Sequence, residues 1–415
     1  MPLIDMVKDL IYIAISSAKE TEITTHEISL LALECSDRDH THLFFQKRGV
    51  PFSPLTESHA IPMNASLNDL FRPDIASMQG YVPGEQPGEG GYIKLNTNEN
   101  PYPPSPLVLE RLHAACNTDL RLYPDPNAWA VRNKLSKLFA VAPEQTIVGN
   151  GSDELLNIIL RSFVDPGQKV VYPHPTYSYY QQLIQIQGGK QVLVDFPDDF
   201  SLPDDLAVAG ARLTLLVNPN APSGTLLPIE QVADLANRVD GILVVDEAYV
   251  DFSEGGCIQL LDRHPNIIVI RTMSKSFSLA GMRIGFGVAA PELIAGMWKV
   301  KDHYNVNRLS LVAAEAALDD VETMRTQAKR ICQTREQLTL QLRELGLTVW
   351  DSSANFVLAR LSSPPAADLY AELKRRHILV RYFDQPRLND CLRITVGTDE
   401  ETAALMRALR ELLES

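Results

Sequence analysis

The sequence predicts an α/β protein with a large, mostly parallel sheet and a smaller α+β domain behind it. Three observations predict this. Short apolar runs of strand length, rich in β-branched residues, recur between about residues 146 and 272. Helical or loop segments separate them, as in buried parallel sheets. After about residue 310 the pattern changes to a long helical zone, a few strand-like runs and a terminal helix.

Taken in order, residues 1–75 read as a loosely attached, flexible extension, with a small ordered appendage as the alternative. Within it, 2–18 has the makings of a short helix, and no chemical constellation follows. Residues 80–106 (GYVPGEQPGEGG, then NTNENPYPPSP) carry too much Gly and Pro for a regular helix. They should run over a surface, that of a partner subunit included. A helix is expected at about 106–118, then a turn at YPDPN, then a helix over 128–139 carrying Trp129, Val131, Leu135 and Leu138. TIVG leads into the helical GSDELLNIILRSF. Further strands are expected at 169–173, 190–196, 212–218, 241–247 and 266–272, and helices at 291–303 and 308 to about 345. LTVWDSSANFVLARL, HILVRYF and CLRITVG read as strands of the smaller domain, and TDEETAALMRALRELLE as a capped helix. The expected divisions are an extension (1–75), an arm (76–120) contributing to the small domain and a dimer contact, a large domain (121–308) and a small domain (309–415).

Composition narrows the function. With 45% hydrophobic and 22% charged residues the chain is not disordered. A net charge of -14 argues against broad nucleic-acid binding but leaves room for a local cationic pocket. No apolar run is long enough to span a membrane, and the first ten residues lack the basic start of a secretory signal. Cys35, Cys116, Cys257, Cys332 and Cys391 are scattered without a CxxC, which points to a reducing cytoplasm. The nine histidines show no metal-binding spacing.

Six segments carry chemistry. In RTMSKSFSLAGMR a buried strand delivers Lys275 into a hydroxyl-rich loop. Burying that amine is costly without a partner or a task, and a Schiff base to an aldehyde cofactor is one task. Thr272, Ser274 and the forked guanidinium of Arg283 could then hold a phosphate. A solvated surface loop is the alternative. In GILVVDEAYVDF, Asp246 ends an apolar strand and Tyr249 follows three residues later. That end of a strand is where α/β sheets collect ligands, although Asp246 could equally be a helix cap or a metal ligand. GNGSDELL places Gly151, Ser152 and Asp153 at a helix start, either a phosphate cradle or a plain cap. Tyr177 in PTYSYY could lie flat on a heteroaromatic ring or pack in an aromatic cluster. Arg381 and Arg393 sit on strand-like segments, where each could bind a substrate anion or be salt-bridged.

Together these stretches resemble the fold-type I pyridoxal-phosphate (PLP) aminotransferases, and among them the histidinol-phosphate aminotransferase family. The matching strings are LNTNENPYPPSP, LRLYPDPN, GNGSDELL, YPHPTYSYY, NPNAPSGT, VVDEAYVDF, RTMSKSFSLAGMRIGF, SSANFVL, VRYF and CLRITVGT, from about residue 72 to the end. The resemblance implies a three-layer sandwich around a seven-stranded sheet. It implies PLP as cofactor, small amino donors and oxo acceptors (one phosphorylated) as partners, and a homodimer with shared active sites. Lys275 then matches the Schiff-base lysine, Asp246 the partner of the pyridine nitrogen, Tyr249 the donor to the phenolic oxygen and Tyr177 the stacking ring. Gly151, Ser152, Asp153, Thr272, Ser274 and Arg283 match the phosphate site, and Tyr123 a tyrosine reaching that phosphate across the dimer. Arg393 and Arg381 match substrate-anion arginines, and Tyr102 lies in the covering arm. One departure matters more than the milder Ser223 for Thr. The family's NPNNPTG is here Asn218-Pro219-Asn220-Ala221-Pro222-Ser223-Gly224, so the asparagine that contacts the ring oxygen is replaced by Ala221. Asn220 or Asn218 through a shifted turn, or Tyr249 with water, are the substitutes on offer. An aromatic aminotransferase, a threonine-phosphate decarboxylase and a noncatalytic binding domain are the competing readings.

Overall fold

A computed structural model describes residues 67–414, except 82 and 88–90. The helix expected at 2–18 and nearly all of the extension lie outside the described residues. Contacts divide the chain at Leu70, and residues Phe71–Ser415 form one unit.

In this unit the end of the extension contributes one turn of helix, Pro73–Ala76, and the arm a short strand β1 (Ile93–Lys94). Helices α1 (Pro106–Ala115) and α2 (Trp129–Phe139) follow, then β2 (Thr146–Gly149), α3 (Gly151–Phe163), β3 (Lys169–His174), α4 (Tyr179–Gln187) and β4 (Lys190–Asp195). Next come β5 (Ala211–Val217), α5 (Ile229–Arg238), β6 (Ile242–Asp246), β7 (Ile267–Thr272), β8 (Gly285–Ala289) and α6 (Pro291–Trp298). The chain ends with α7 (Arg308–Asp319), α8 (Val321–Glu344), β9 (Thr348–Val349), β10 (Phe356–Arg360), α9 (Ala366–Arg375), β11 (Ile378–Leu379), β12 (Arg381–Tyr382), β13 (Cys391–Thr395) and α10 (Asp399–Leu413).

Seven strands form the large sheet in the order β2-β8-β7-β6-β5-β3-β4. The pairs from β4 through to β7 are parallel, and β8 alone runs against its neighbours β7 and β2. Strands β2, β6 and β8 are buried along their whole length, which is why β2 and β6 read as short apolar runs; β8, with two glycines in five residues, is not among the expected strands. Helices on this sheet bury one stripe each, such as Leu155, Leu156, Ile158 and Ile159 of α3.

A four-stranded antiparallel sheet, β12-β13-β10-β9, backs onto a second apolar cluster built from α8, α9 and α10. β1 pairs in parallel with β11, Ile93 opposite Ile378, so the arm joins the C-terminal part of the chain. The arm strand is too short to show a period in the sequence. HILVRYF divides into two strands that serve different sheets.

Two helical boundaries differ from expectation for local reasons, and a third is capped as expected. α6 stops at Trp298, because Lys301 turns its ammonium onto the carbonyls of Asp302 and Pro126 and the Asn305 side chain. The zone after 308 is two helices. Asp320 ends the first and caps the second, its carboxylate accepting from Thr323 and Ser105. α10 starts with the capping box Thr398–Glu401.

Candidate active site

The topology gathers five chain reversals at one end of the large sheet. β2, β3, β5, β6 and β7 point their carboxyl ends there, and β8 starts from the same end. The reversals surround a cavity of about 340 Å³, within the size range of small-ligand sites.

Asp246 is the last residue of β6 and only 3% exposed. Its Oδ1 accepts the Ala248 amide at 3.0 Å. Burial nevertheless raises its pKa to about 7; the Ala248 bond opposes the rise, and the charges of Asp153 and Glu247 add to it. Lys275 follows β7 by three residues and donates from Nζ to the Thr97 carbonyl at 3.2 Å. Burial, with the positive charge of Arg393, lowers its pKa to about 8. The same cavity therefore holds an amine shifted toward neutrality and a carboxyl shifted toward protonation.

Tyr249, three residues after Asp246, has its ring centroid 6.0 Å from the Lys275 Nζ and lies edge-on to Phe356. Its hydroxyl accepts a hydrogen bond from Asn98 at 3.0 Å. Tyr177 lines the cavity beyond β3 and donates to Asp153 at 3.0 Å. Asp153 in turn accepts from Arg283 at 3.1 Å.

The corner between β2 and β8 suits an anion. Gly151 opens α3 with φ +76°, and a Cβ there would lie 2.9 Å from the Arg283 guanidinium. A Cβ on Gly285 would come within 2.5 Å of the Gly151 carbonyl carbon. Only bare backbone fits on either side. No side chain caps the α3 amides, and Ser152, Thr272, Ser274 and Arg283 line the cavity around them.

Opposite, Arg381 and Arg393 stand in register on β12 and β13, and both line the cavity. Arg393 donates to the Asn96 carbonyl at 2.9 Å and lies over the rings of Phe356 and Phe383. Its buried Nε has no hydrogen-bond partner, a donor left for an anion.

Four expected site residues do not line this chain's cavity. Gly151 shapes the corner without lining the cavity. Asn220 is turned away from it. Its amide accepts from Thr176, donates to Ser223 and reaches the Pro175 carbonyl, so the turn consumes the side chain that was expected to replace the missing asparagine. Ala221 and Pro222 form the wall there. Tyr102 packs under Arg330, whose guanidinium lies 4.6 Å from its ring, away from this chain's cavity. Tyr123 is 79% exposed, stacked on Tyr304, and does not line it either.

Several lining residues escaped the sequence reading, among them Tyr81, Asn96, Asn98, Thr176 and Phe383. Asn98 carried one signal, an asparagine in a loop whose φ of +56° asparagine tolerates better than most residues.

The sequence profile of the family "Aminotransferase class I and II" matches residues 91–409. Histidinol-phosphate aminotransferase 1 of Trichormus variabilis is 45% identical over 84% of this chain and 100% of its own length. Histidinol-phosphate aminotransferase of Geotalea uraniireducens is 45% identical over 82% of this chain and 99% of its own. This chain belongs to the histidinol-phosphate aminotransferases. The crystal structure of the Sinorhizobium meliloti histidinol-phosphate aminotransferase in complex with pyridoxal-5'-phosphate superposes with a TM-score of 0.77 at 29% identity, covering 85% of this chain and 99% of that one.

The residues of this aminotransferase fit PLP. The glycine-shaped corner with its uncapped amides, three hydroxyls and Arg283 suits a phosphate dianion. Asp246 offers a buried carboxylate that no cation among the described residues offsets, as a ring N–H⁺ would. Tyr177 presents an aromatic face, Tyr249 a hydroxyl and Lys275 an amine. When bound, PLP supplies an aldehyde for amine exchange and a ring that takes up electron density from the substrate Cα.

Proposed function

We propose that this aminotransferase interconverts histidinol phosphate plus 2-oxoglutarate with imidazole-acetol phosphate plus glutamate, as a cytoplasmic homodimer with shared active sites. The observation that carries the substrate reading is the pair Arg381 and Arg393, in register across β12 and β13 and facing the cavity that holds Lys275. One donor brings a phosphate and the other a side-chain carboxylate, so a shared locus needs cationic donors that accept either.

Lys275, neutral above about pH 8, takes the proton from the substrate Cα and later returns it. Asp246 ionises against a cation and holds the proton on the ring nitrogen. Tyr249 orients through its hydroxyl, which Asn98 fixes. The arm residues Tyr81, Pro83 and Gly84 form the outer wall and limit water. Alternation of two substrates on one set of groups predicts ping-pong kinetics.

The dimer reading rests on exposed apolar side chains near one another in sequence, Leu120, Leu122, Tyr123 and Trp129. Light scattering on the purified holoenzyme tests it, and a monomer with full activity would end it. The substrate reading is tested by supplying histidinol phosphate, phenylalanine and threonine phosphate separately with 2-oxoglutarate. Glutamate formation should be fastest with histidinol phosphate. A preference for phenylalanine would instead assign an aromatic aminotransferase, and CO₂ release from threonine phosphate a decarboxylase.

A further inference from the structure

Glu247 and Arg271 carry charge, sit directly behind the site, and take no part in the chemistry derived above. Glu247 follows Asp246 in the chain, and Arg271 precedes Thr272 at the end of the strand that leads to Lys275. Their strands are parallel neighbours. Because side chains alternate along a strand, both point away from the catalytic cavity, and neither lines it.

Arg271 Nε donates to Glu247 Oε2 at 2.8 Å, and its Nη2 lies 2.8 Å from the same oxygen. The Glu247 side chain is 1% exposed and that of Arg271 11%. The other Glu247 oxygen accepts the Cys257 amide. Arg271 Nη1 also lies 3.7 Å from Asp251, and Asp251 accepts the hydroxyl of Ser276. Ser276 is the residue after Lys275 and is 1% exposed. A continuous polar chain thus runs from the residue beside Asp246, through Arg271 and Asp251, to the residue beside Lys275.

Apolar residues could fill this volume at less desolvation cost. What they could not do is fix two backbone segments at defined hydrogen-bond distances. We propose that Glu247, Arg271, Asp251 and Ser276 are positioning residues that hold the Lys275 turn and the end of the Asp246 strand in one fixed relation, so that amine and carboxylate address opposite sides of the same bound ring. Charge supports the geometry. Glu247 raises the Asp246 pKa, and Arg271, paired with Glu247, offsets that charge. The inference rests on Lys275 and Asp246 holding the cofactor.

The test is Ser276→Ala in the holoenzyme, which removes one hydroxyl and strands no charge, since Asp251 keeps Arg271. kcat should fall about tenfold or more with KM for the amino donor nearly unchanged, as expected for a misplaced reacting group. The pH midpoint of the bound cofactor's absorbance in the resting holoenzyme should shift by about half a unit or more. Asp251→Ala should reproduce both changes, and the double variant should be no slower than Asp251→Ala alone, the non-additivity of a shared network. Parent values of kcat and midpoint in Ser276→Ala, with or without a lower melting temperature, would overturn the proposal, as would additive effects. If Asp251→Ala does not fold, Ser276→Ala decides alone. Lys275→Ala separates the two levels. Normal turnover in that variant removes the underlying site reading, whereas its failure alongside an unaffected Ser276→Ala removes only the network.

Discussion

The side-chain amide of Asn98 donates to the hydroxyl of Tyr249 at 3.0 Å, tying the arm to the end of the strand that carries Asp246. Asn98 is buried and held on three further sides. Its carbonyl accepts from Asn355, and its amide N–H and side-chain oxygen both meet the Thr395 hydroxyl. Replacing Asn98 by Ala removes the two side-chain bonds, to the buried hydroxyls of Tyr249 and Thr395, and keeps a residue with a Cβ at positive φ. The expected loss is about 2–3 kcal/mol of stability, read as a lower urea midpoint, together with a lower kcat. Tyr249→Phe, which removes only the hydroxyl, should keep most of the stability while losing rate.

Lys275→Ala should abolish multiple turnover and the bound-cofactor absorbance of the resting enzyme. Loss of a positioned acid–base group costs about 10²–10⁴-fold, and here the same group also captures the aldehyde. Turnover by stopped-flow and steady-state assay checks it, and a variant within tenfold of the parent would contradict the assignment.

Arg393→Ala should raise KM for glutamate and histidinol phosphate alike, by about tenfold to hundredfold, the value of a charge-assisted contact. Arg381→Ala should raise KM for the phosphorylated substrate more than for glutamate. Equal effects of Arg381→Ala on both would place that arginine with the shared anion locus instead.

Two pH dependences follow from burial. The Lys275 amine is a base only when neutral, so kcat should climb with pH and level off above about 8. The Asp246 carboxyl has a folded pKa of about 7 against an ordinary 3.8, so the apoprotein binds more protons than the unfolded chain between these values. Its contribution favours the fold fully below about 4 and is lost as pH rises through 7. Cofactor removal should expose that slope in urea melts from pH 4 to 7, and Asp246→Asn should flatten it.

The sheet was legible because β5, β6 and β7 are apolar along nearly their whole length, a pattern that needs no partner to interpret. Lys275 and Asp246 were legible as candidates because each sits at or just beyond the end of such a strand, and Arg283 because it closes the string RTMSKSFSLAGMR that resembles the family's. Asn220 misled because its role depends on how the turn closes, and Thr176, which claims its oxygen, is distant in sequence. Asn98 and Tyr81 were missed for the converse reason. They come from a segment without period, and only its docking brings them to the cavity. The break at Asp320 depended on a cap in the middle of an otherwise helical composition.

The pairing of Ile93 with Ile378 has a consequence for biosynthesis. A growing polypeptide can assemble most of the large sheet while still on the ribosome, but β11 and Thr395, which anchor the arm, emerge near the end of translation. The outer wall of the cavity is therefore completed last. A prematurely terminated product lacking the final few dozen residues would retain its lysine and its aspartate yet have no docking edge for β1, the strand between the arm residues that line their cavity.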